Sequence, residues 1–212
     1  MIDSLDVQRA LDLVDKDRPG LIEYLLASIQ RLAGAGVDFV AMTANTPHIV
    51  FDELVARAPV PLLSIVEVCA EEARARGLRR LALLGTRFTM QAPFYPSVCA
   101  RYGVTVVTPG DADRAWVHER YVDELLKGDF RDDTRERFIA LVDRLRDEAR
   151  VEGVILGGTE LPLLIPAPLI AGLPALDTTA LHVAAIVQRL RHGDARPPGA
   201  GGRIIPAKEV HP

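Results

Sequence analysis

After Gly36 the chain runs through an apolar stretch, residues 37–42, and then changes character at Thr43, Ala44, Asn45 and Thr46. Pro47 follows, and behind it Ile49, Val50, Phe51 and Leu54 recur at helical spacing. The apolar run predicts a buried strand and the later residues predict a helix. Thr46 suits the cap of that helix, and Pro47 suits its first position, where a missing N–H costs nothing. A strand that feeds a helix through hydroxyls, an amide and free backbone N–H groups can hold a small anion.

The same alternation continues on both sides of this stretch. Upstream, residues 2–5 predict a short strand, residues 7–13 a helix, and residues 17–20 a turn. Leu21, Leu25, Leu26, Ile29 and Leu32 mark a further helix that ends at Gly34 and Gly36. Downstream, strands are predicted at residues 61–65, 79–84, 104–107, 151–156 and 174–176, with helices reaching Gly77, spanning about 91–102, and running to Arg191. Two charged helices stand between the fourth and fifth strands, residues 111–127 and then from Asp133 or Thr134 to Arg150, with Gly128 between them. Their charges alternate in sign, the pattern of a solvated face. The Pro-rich residues 161–168 predict a loop, and residues 193–212 a flexible tail.

Strands alternating with helices define an α/β fold with parallel sheets, in which ligands sit beyond the carboxyl ends of the strands. Four of those ends share one chemistry: Thr43-Ala-Asn-Thr46, Gly85-Thr86, Gly158-Thr159 and Asp177-Thr-Thr179. Small residues let a ligand approach the backbone, and each threonine adds a hydroxyl. Any one of these threonines is most simply a helix cap; four at one edge point to a binding site.

Composition narrows the ligand. Of 212 residues, 49% are hydrophobic and 25% charged, with a formal net charge of −4, so nothing argues for a nucleic-acid or membrane partner. No apolar run is long enough to cross a bilayer and the amino terminus lacks the pattern of a signal peptide, so a cytoplasmic protein is expected. Without a basic cluster or phosphate-loop spacing, a small carboxylate fits better than a nucleotide. Cys69 and Cys99 fall in helical patterns and are expected to be buried and inert; His118, His192 and His211 read as surface residues, and no metal site is suggested.

Asn45-Thr46 followed by His48, Leu84-Gly-Thr-Arg-Phe-Thr-Met90, Gly157-Gly-Thr-Glu-Leu161 and Asp177-Thr-Thr-Ala-Leu-His182 together resemble the aspartate/glutamate racemase family, in order and spacing from about residue 5 to 190. The resemblance implies two similar parallel-sheet αβα subdomains related by pseudo-twofold symmetry, with the ligand cleft between them. On this chain they would be residues 1–84 with 177–192, and residues 85–176. It also implies cofactor-independent proton transfer at the α-carbon of an amino acid or similar small carboxylate, and a homodimer. In the family two cysteines face opposite sides of that carbon, one removing the proton and the other returning it.

Here the first cysteine position is Ala44 and the second is Gly158, and neither residue has a proton to exchange. Restoring both thiols, Ala44→Cys with Gly158→Cys, is expected to raise racemase activity if the cleft is intact. The resemblance also places Met1 within the family's second strand, so a reading frame begun too late is expected. The remaining candidates for proton transfer are Glu160, His182 and Thr43. Structural roles stand beside each: Glu160 as a loop anchor, His182 as a packed or capping ring, Thr43 as a capping hydroxyl. Asn45, Thr46, Thr86 and Thr159 carry over as substrate-binding groups. His48, on the first turn after Pro47, is expected to orient their loop, and Arg87 reads either as a solvated arginine or as a partner for an acidic substrate. An isomerase is the expected function; the alternative is an inactive carboxylate-binding protein or a partner subunit of a true racemase.

Overall fold

In the computed structural model, which describes residues 1–192 and the strand Ile204–Ile205, the chain opens as an extended segment. The strand expected at residues 2–5 is not formed. Its Asp3 carboxylate instead accepts from Ser28 Oγ at 2.7 Å and from Arg31 Nη2 at 2.7 Å, so the segment is tied to side chains rather than to another strand's backbone. Asp6 caps helix α1 (Val7–Lys16), accepting from the Arg9 N–H at 3.0 Å. Asp17 caps α2 (Arg18–Gly34) through the Gly20 N–H at 2.9 Å, so the expected turn at residues 17–20 is a helix start with Pro19 in its first turn.

Strand β1 (Val40–Ala41) leads into a 3-10 turn (Thr46–Val50) and α3 (Phe51–Arg57). Strand β2 (Leu62–Leu63) follows, and then α4 (Ile65–Ala75), capped by Ser64. After β3 (Arg80–Gly85), the helix expected over 91–102 is two pieces, α5 (Arg87–Gln91) and α6 (Phe94–Arg101). Pro93 is the cause, because it holds Ala92 in extended backbone at ψ 150°. Next come β4 (Thr105–Val107), α7 (Asp111–Asp123) and α8 (Asp132–Ala149). Thr134 does not cap α8; its hydroxyl donates to the buried Glu124 carboxylate at 2.6 Å. The last part is β5 (Gly153–Gly157), α9 (Leu161–Leu164), β6 (Leu169–Ile170), β7 (Leu173–Asp177), α10 (Thr178–His192) and β8 (Ile204–Ile205). The expected loop at 161–168 thus contains a helical turn. The tail expected over residues 193–212 lies outside the described residues apart from β8.

The strands form two sheets, in orders β1-β2-β8 and β4-β3-β5-β7-β6. Pairs β1/β2, β3/β4, β3/β5 and β5/β7 are parallel; β6 and β8 run antiparallel to their neighbours. This is the expected α/β class. Strand β3, which the expected division placed at the end of the first subdomain, pairs within the larger sheet. Every residue of β5 is buried, as a central parallel strand covered on both faces requires. One face packs Leu84, Val154 and Leu156 against Val117, Phe138 and Val142 of α7 and α8. The other packs Leu83, Ile155 and Leu176 against Cys69, Ala73, Tyr95 and Cys99 of α4 and α6. At the carboxyl ends Gly85 pairs with Gly157, and a Cβ on Gly157 would stand 2.8 Å from the Leu84 carbonyl oxygen. Two glycines let these ends close together. No helix among the described residues is long and apolar enough to cross a membrane.

Phe138 is fully buried, and its ring lies 5.0 Å from that of Trp116, the only tryptophan. Phe138→Ala is expected to cost about 3–5 kcal/mol, the usual loss for an aromatic core truncation. Leu190→Ala, on the exposed face of α10, should change stability by less than about 0.5 kcal/mol. Urea unfolding followed by Trp116 fluorescence separates the two.

Candidate functional site

The turn after β1 is where local preference gives way to long-range contact. Thr46 begins the 3-10 turn but does not cap it. Its Oγ1 lies 2.9 Å from Thr86 Oγ1 and 3.1 Å from Thr89 Oγ1, and those two hydroxyls are 3.2 Å apart. Thr86 also caps α5, accepting from the Thr89 N–H at 3.3 Å. Beside this triad Asn45 donates through Nδ2 to Thr178 Oγ1 at 3.1 Å, and its Oδ1 accepts from the Tyr95 hydroxyl at 2.5 Å. Thr178 in turn donates to the Leu156 carbonyl at 2.8 Å. All six side chains are buried. The strand ends after β1, β3, β5 and β7 therefore meet, as the sequence predicts.

His48 holds the same turn from behind. Nδ1 is 2.9 Å from the Ala44 carbonyl oxygen, and Nε2 is 3.3 Å from the Ile65 backbone nitrogen. The amide of Ile65 can only donate, so Nε2 accepts and the proton sits on Nδ1, bonded to Ala44. The ring stacks on Phe51 with centroids 4.7 Å apart. Burial pulls the His48 pKa down to about 3, with His182 nearby adding to the effect. His182 is buried as well; its Nε2 is 3.2 Å from the Leu63 carbonyl oxygen, and burial pulls its pKa down to about 4. Both rings are neutral struts at ordinary pH.

A cavity of about 440 Å³ opens over these strand ends. Thr43, Ala44, Asn45, Thr46, Thr86, Gly157, Gly158, Thr159, Glu160 and Tyr121 line its polar side. Apolar residues of α1 and α2, among them Leu11, Val14, Leu25 and Ile29, line the rest together with residues 2–6. Glu160, Thr43 and the four expected binding residues thus line one cavity. His182 is not among the lining residues, and neither is Arg87, whose guanidinium pairs with Asp15 at 3.0 Å. Cys69 and Cys99 are buried between α4 and α6; desolvation raises both thiols, Cys99 to about 12. Among the described residues, the lining residues with formal charge are Asp3, Asp6 and Glu160, all acidic.

Tyr121 of α7 is the residue that the sequence pattern did not single out. Its hydroxyl donates to Glu160 Oε2, which also accepts from Thr159 Oγ1 at 2.8 Å. Burial first, and then the Glu160 carboxylate, push the Tyr121 phenol well above its ordinary range. A Cβ on Gly158 would stand 2.5 Å from Tyr121 Cε2 and 2.7 Å from Cζ. The expected rescue by Gly158→Cys therefore meets an obstacle: the space for that side chain is filled by a buried ring.

The family model described as Asp/Glu/Hydantoin racemase matches residues 2–186. The chain belongs to this racemase family. Among solved structures it is similar to an aspartate racemase homologue from Pyrococcus horikoshii, at 32% identity over 89% of this chain and 81% of that one, with a TM-score of 0.75. The aspartate racemase of Picrophilus torridus shares the fold at 21% identity, 96% and 86% coverage, and a TM-score of 0.69. The broad specificity amino-acid racemase RacX of Bacillus subtilis is 34% identical over 91 residues, 43% of this chain. That match spans 40% of the relative's length.

The buried histidines of this racemase-family member give a signed pH test. Their folded pKa values lie below the ordinary 6.5, so between about 4 and 6.5 the unfolded chain binds more protons and stability rises with pH. The stabilisation is fully present above 6.5 and is lost as pH falls. From pH 7 to pH 5 each ring should contribute a loss on the order of 1–2 kcal/mol. Urea midpoints at the two pH values should differ less in His48→Gln than in the parent protein.

Proposed function

We propose that this chain is a cofactor-independent isomerase acting at the α-carbon of an amino acid or similar small carboxylate, and that it works without the cysteine pair the resemblance implies. Family membership supports the reaction class. The observation that carries the assignment is the position of Glu160, which lines the cavity beside the binding threonines and has only one carboxylate oxygen engaged. A carboxylate in a partly dry cavity can move a proton when a substrate is held within reach.

Asn45, Thr46, Thr86 and Thr159 form the polar floor that would receive the substrate carboxylate, together with backbone N–H groups of the turns. Thr43, on the same wall, is a hydroxyl without an activating neighbour in any hydrogen bond described, so its part is to bind rather than to abstract. His182 supports the fold of the site from outside the cavity. No lysine, arginine or histidine lines the cavity among the described residues, which favours neutral amino acids over aspartate and glutamate. The same proposal takes the working form to be a cytoplasmic homodimer, in line with the resemblance and the sequence character.

The test is proton NMR in D₂O with the L- and D-forms of alanine, leucine, aspartate and glutamate. The α-proton signal should fade faster for alanine and leucine than for the two acidic amino acids. Ligand-induced shifts in the protein spectrum with every α-proton retained would replace the isomerase by a carboxylate-binding protein.

A further inference from the structure

Four lining side chains ionise as acids: Asp3, Asp6, Tyr121 and Glu160. Asp3 is held by Ser28 and Arg31, and Asp6 by the first turn of α1. Tyr121 is pushed to the protonated form by burial and by its carboxylate neighbour. Asp3 and Asp6 each keep one oxygen that accepts no hydrogen bond among the described residues, but both stand on residues 2–6, and Ser28 and Arg31 hold the Asp3 carboxyl below its ordinary range, which makes it a weaker base. Glu160 is the carboxylate that follows a binding threonine at a strand end: Oε2 takes both the Tyr121 and Thr159 hydroxyls, while Oε1 accepts no hydrogen bond among the described residues. On the wall formed by the turn after β1, residues 43–46 are Thr, Ala, Asn and Thr, none of which ionises. The nearest ionisable ring in sequence, His48, has both nitrogens bonded and sits behind that wall.

Resting on the proposed function, we infer that Glu160 is the single acid–base residue of the cavity among the described residues and Tyr121 its positioning residue, so that the site exchanges the α-proton mainly from one face of the substrate and inverts it more slowly. Glu160 Oε1 takes the α-proton, and the C–H electron pair moves into the substrate carboxyl group as an enediolate. The new carboxylic acid trades its proton with solvent and returns a proton or deuteron to the same face, and the slower inversion follows when solvent protonates the enediolate from the other face. Tyr121 keeps its own proton throughout and holds Oε2, which aims Oε1 at the cavity. A two-base racemase needs an acid on the opposite face as well, and Ala44, where the resemblance puts the other thiol, supplies none.

Gly158 belongs to the same device. With any side chain there, the Tyr121 ring could not stay where it is. Volume that a residue at 158 would occupy is given to the phenol, which converts it into a hydrogen bond on Glu160.

The full chain is assayed in D₂O with L- and D-alanine and L- and D-leucine, following α-deuteration by NMR and inversion by chiral chromatography on the same samples. The wild type is expected to deuterate one enantiomer at least about tenfold faster than it inverts it, the factor that about 1.4 kcal/mol of facial preference gives. Glu160→Gln and Tyr121→Phe should each lower kcat for deuteration by on the order of 10²-fold, with KM changed by less than about twofold. Gly158→Ala should behave as Tyr121→Phe does, because the added methyl displaces the ring; if it fails to fold, Tyr121→Phe, which keeps the ring, decides. Deuteration and inversion at equal rates would keep the proposed function and overturn the single-base assignment. So would a folded Glu160→Gln variant that deuterates as fast as the parent, or a Tyr121→Phe variant in which KM alone moves. A wild type that deuterates none of the four compounds overturns the proposed function and this assignment with it.

Discussion

Two small buried knots of hydrogen bonds decide where everything else in the site can stand. Thr46, Thr86 and Thr89 share their hydroxyls, and Asn45 is held between Tyr95 and Thr178. They join the turn after β1, which belongs to the smaller sheet, to the ends of β3 and β7 in the larger one. Each of these groups is out of water, so losing one partner leaves another unsatisfied at about 1–3 kcal/mol. The knots therefore hold as units, and the cavity wall inherits their rigidity. What Thr46 and Thr86 offer a substrate is the remaining hydrogen-bonding capacity of oxygens whose positions are already set.

That constraint shapes the electrostatics. The turn is braced from behind by a neutral imidazole, with His48 bonded to Ala44 on one side and to Ile65 on the other. A charged ring there would have to be desolvated, and burial pulls the group towards neutrality instead. Among the described residues the cavity thus has no cation of its own, and its formal charges are acidic. An amino acid brings the complementary charge in its ammonium group, while its carboxylate can be met by backbone N–H groups and hydroxyls. A second carboxylate on the side chain would find apolar walls and other carboxylates.

Much of this was legible along the chain because the strand-end motifs are local: a glycine or small residue, then a threonine, at the end of an apolar run. The resemblance put those ends in order, and the structure brings Asn45, Thr46, Thr86, Thr159 and Glu160 to one cavity. Other features depended on partners far away in sequence. Thr46 has the position and chemistry of a helix cap, yet its hydroxyl bonds to residues 40 and 43 positions on. Residues 2–5 look like a strand by pattern, but Asp3 finds Ser28 and Arg31 first. Tyr121 was hidden by the charges around it. Val117, Tyr121 and Leu125 recur every four residues and are all buried, a narrow apolar stripe in a helix otherwise read as solvated. Attention to that stripe would have found the core position, though not the hydroxyl pointing at Glu160.

Positions 121 and 158 are best understood as one choice. A side chain at 158 and a tyrosine ring at 121 compete for the same volume, so the chain can have a group projecting from the β5 turn or a phenol from α7, and here it has the phenol. Substitutions at the two positions should therefore couple strongly rather than add. A thiol placed at 158 with Tyr121 still present would strain a buried ring and break its bond to Glu160, removing the geometry proposed for proton transfer before a new one is established. With a smaller residue at 121 the same thiol would have room. On the proposed assignment, the identity of the proton-transfer group at this corner of the cavity is then set by packing between a strand-end glycine and a helix that begins four residues past the end of β4, and only afterwards by the chemistry of the group itself.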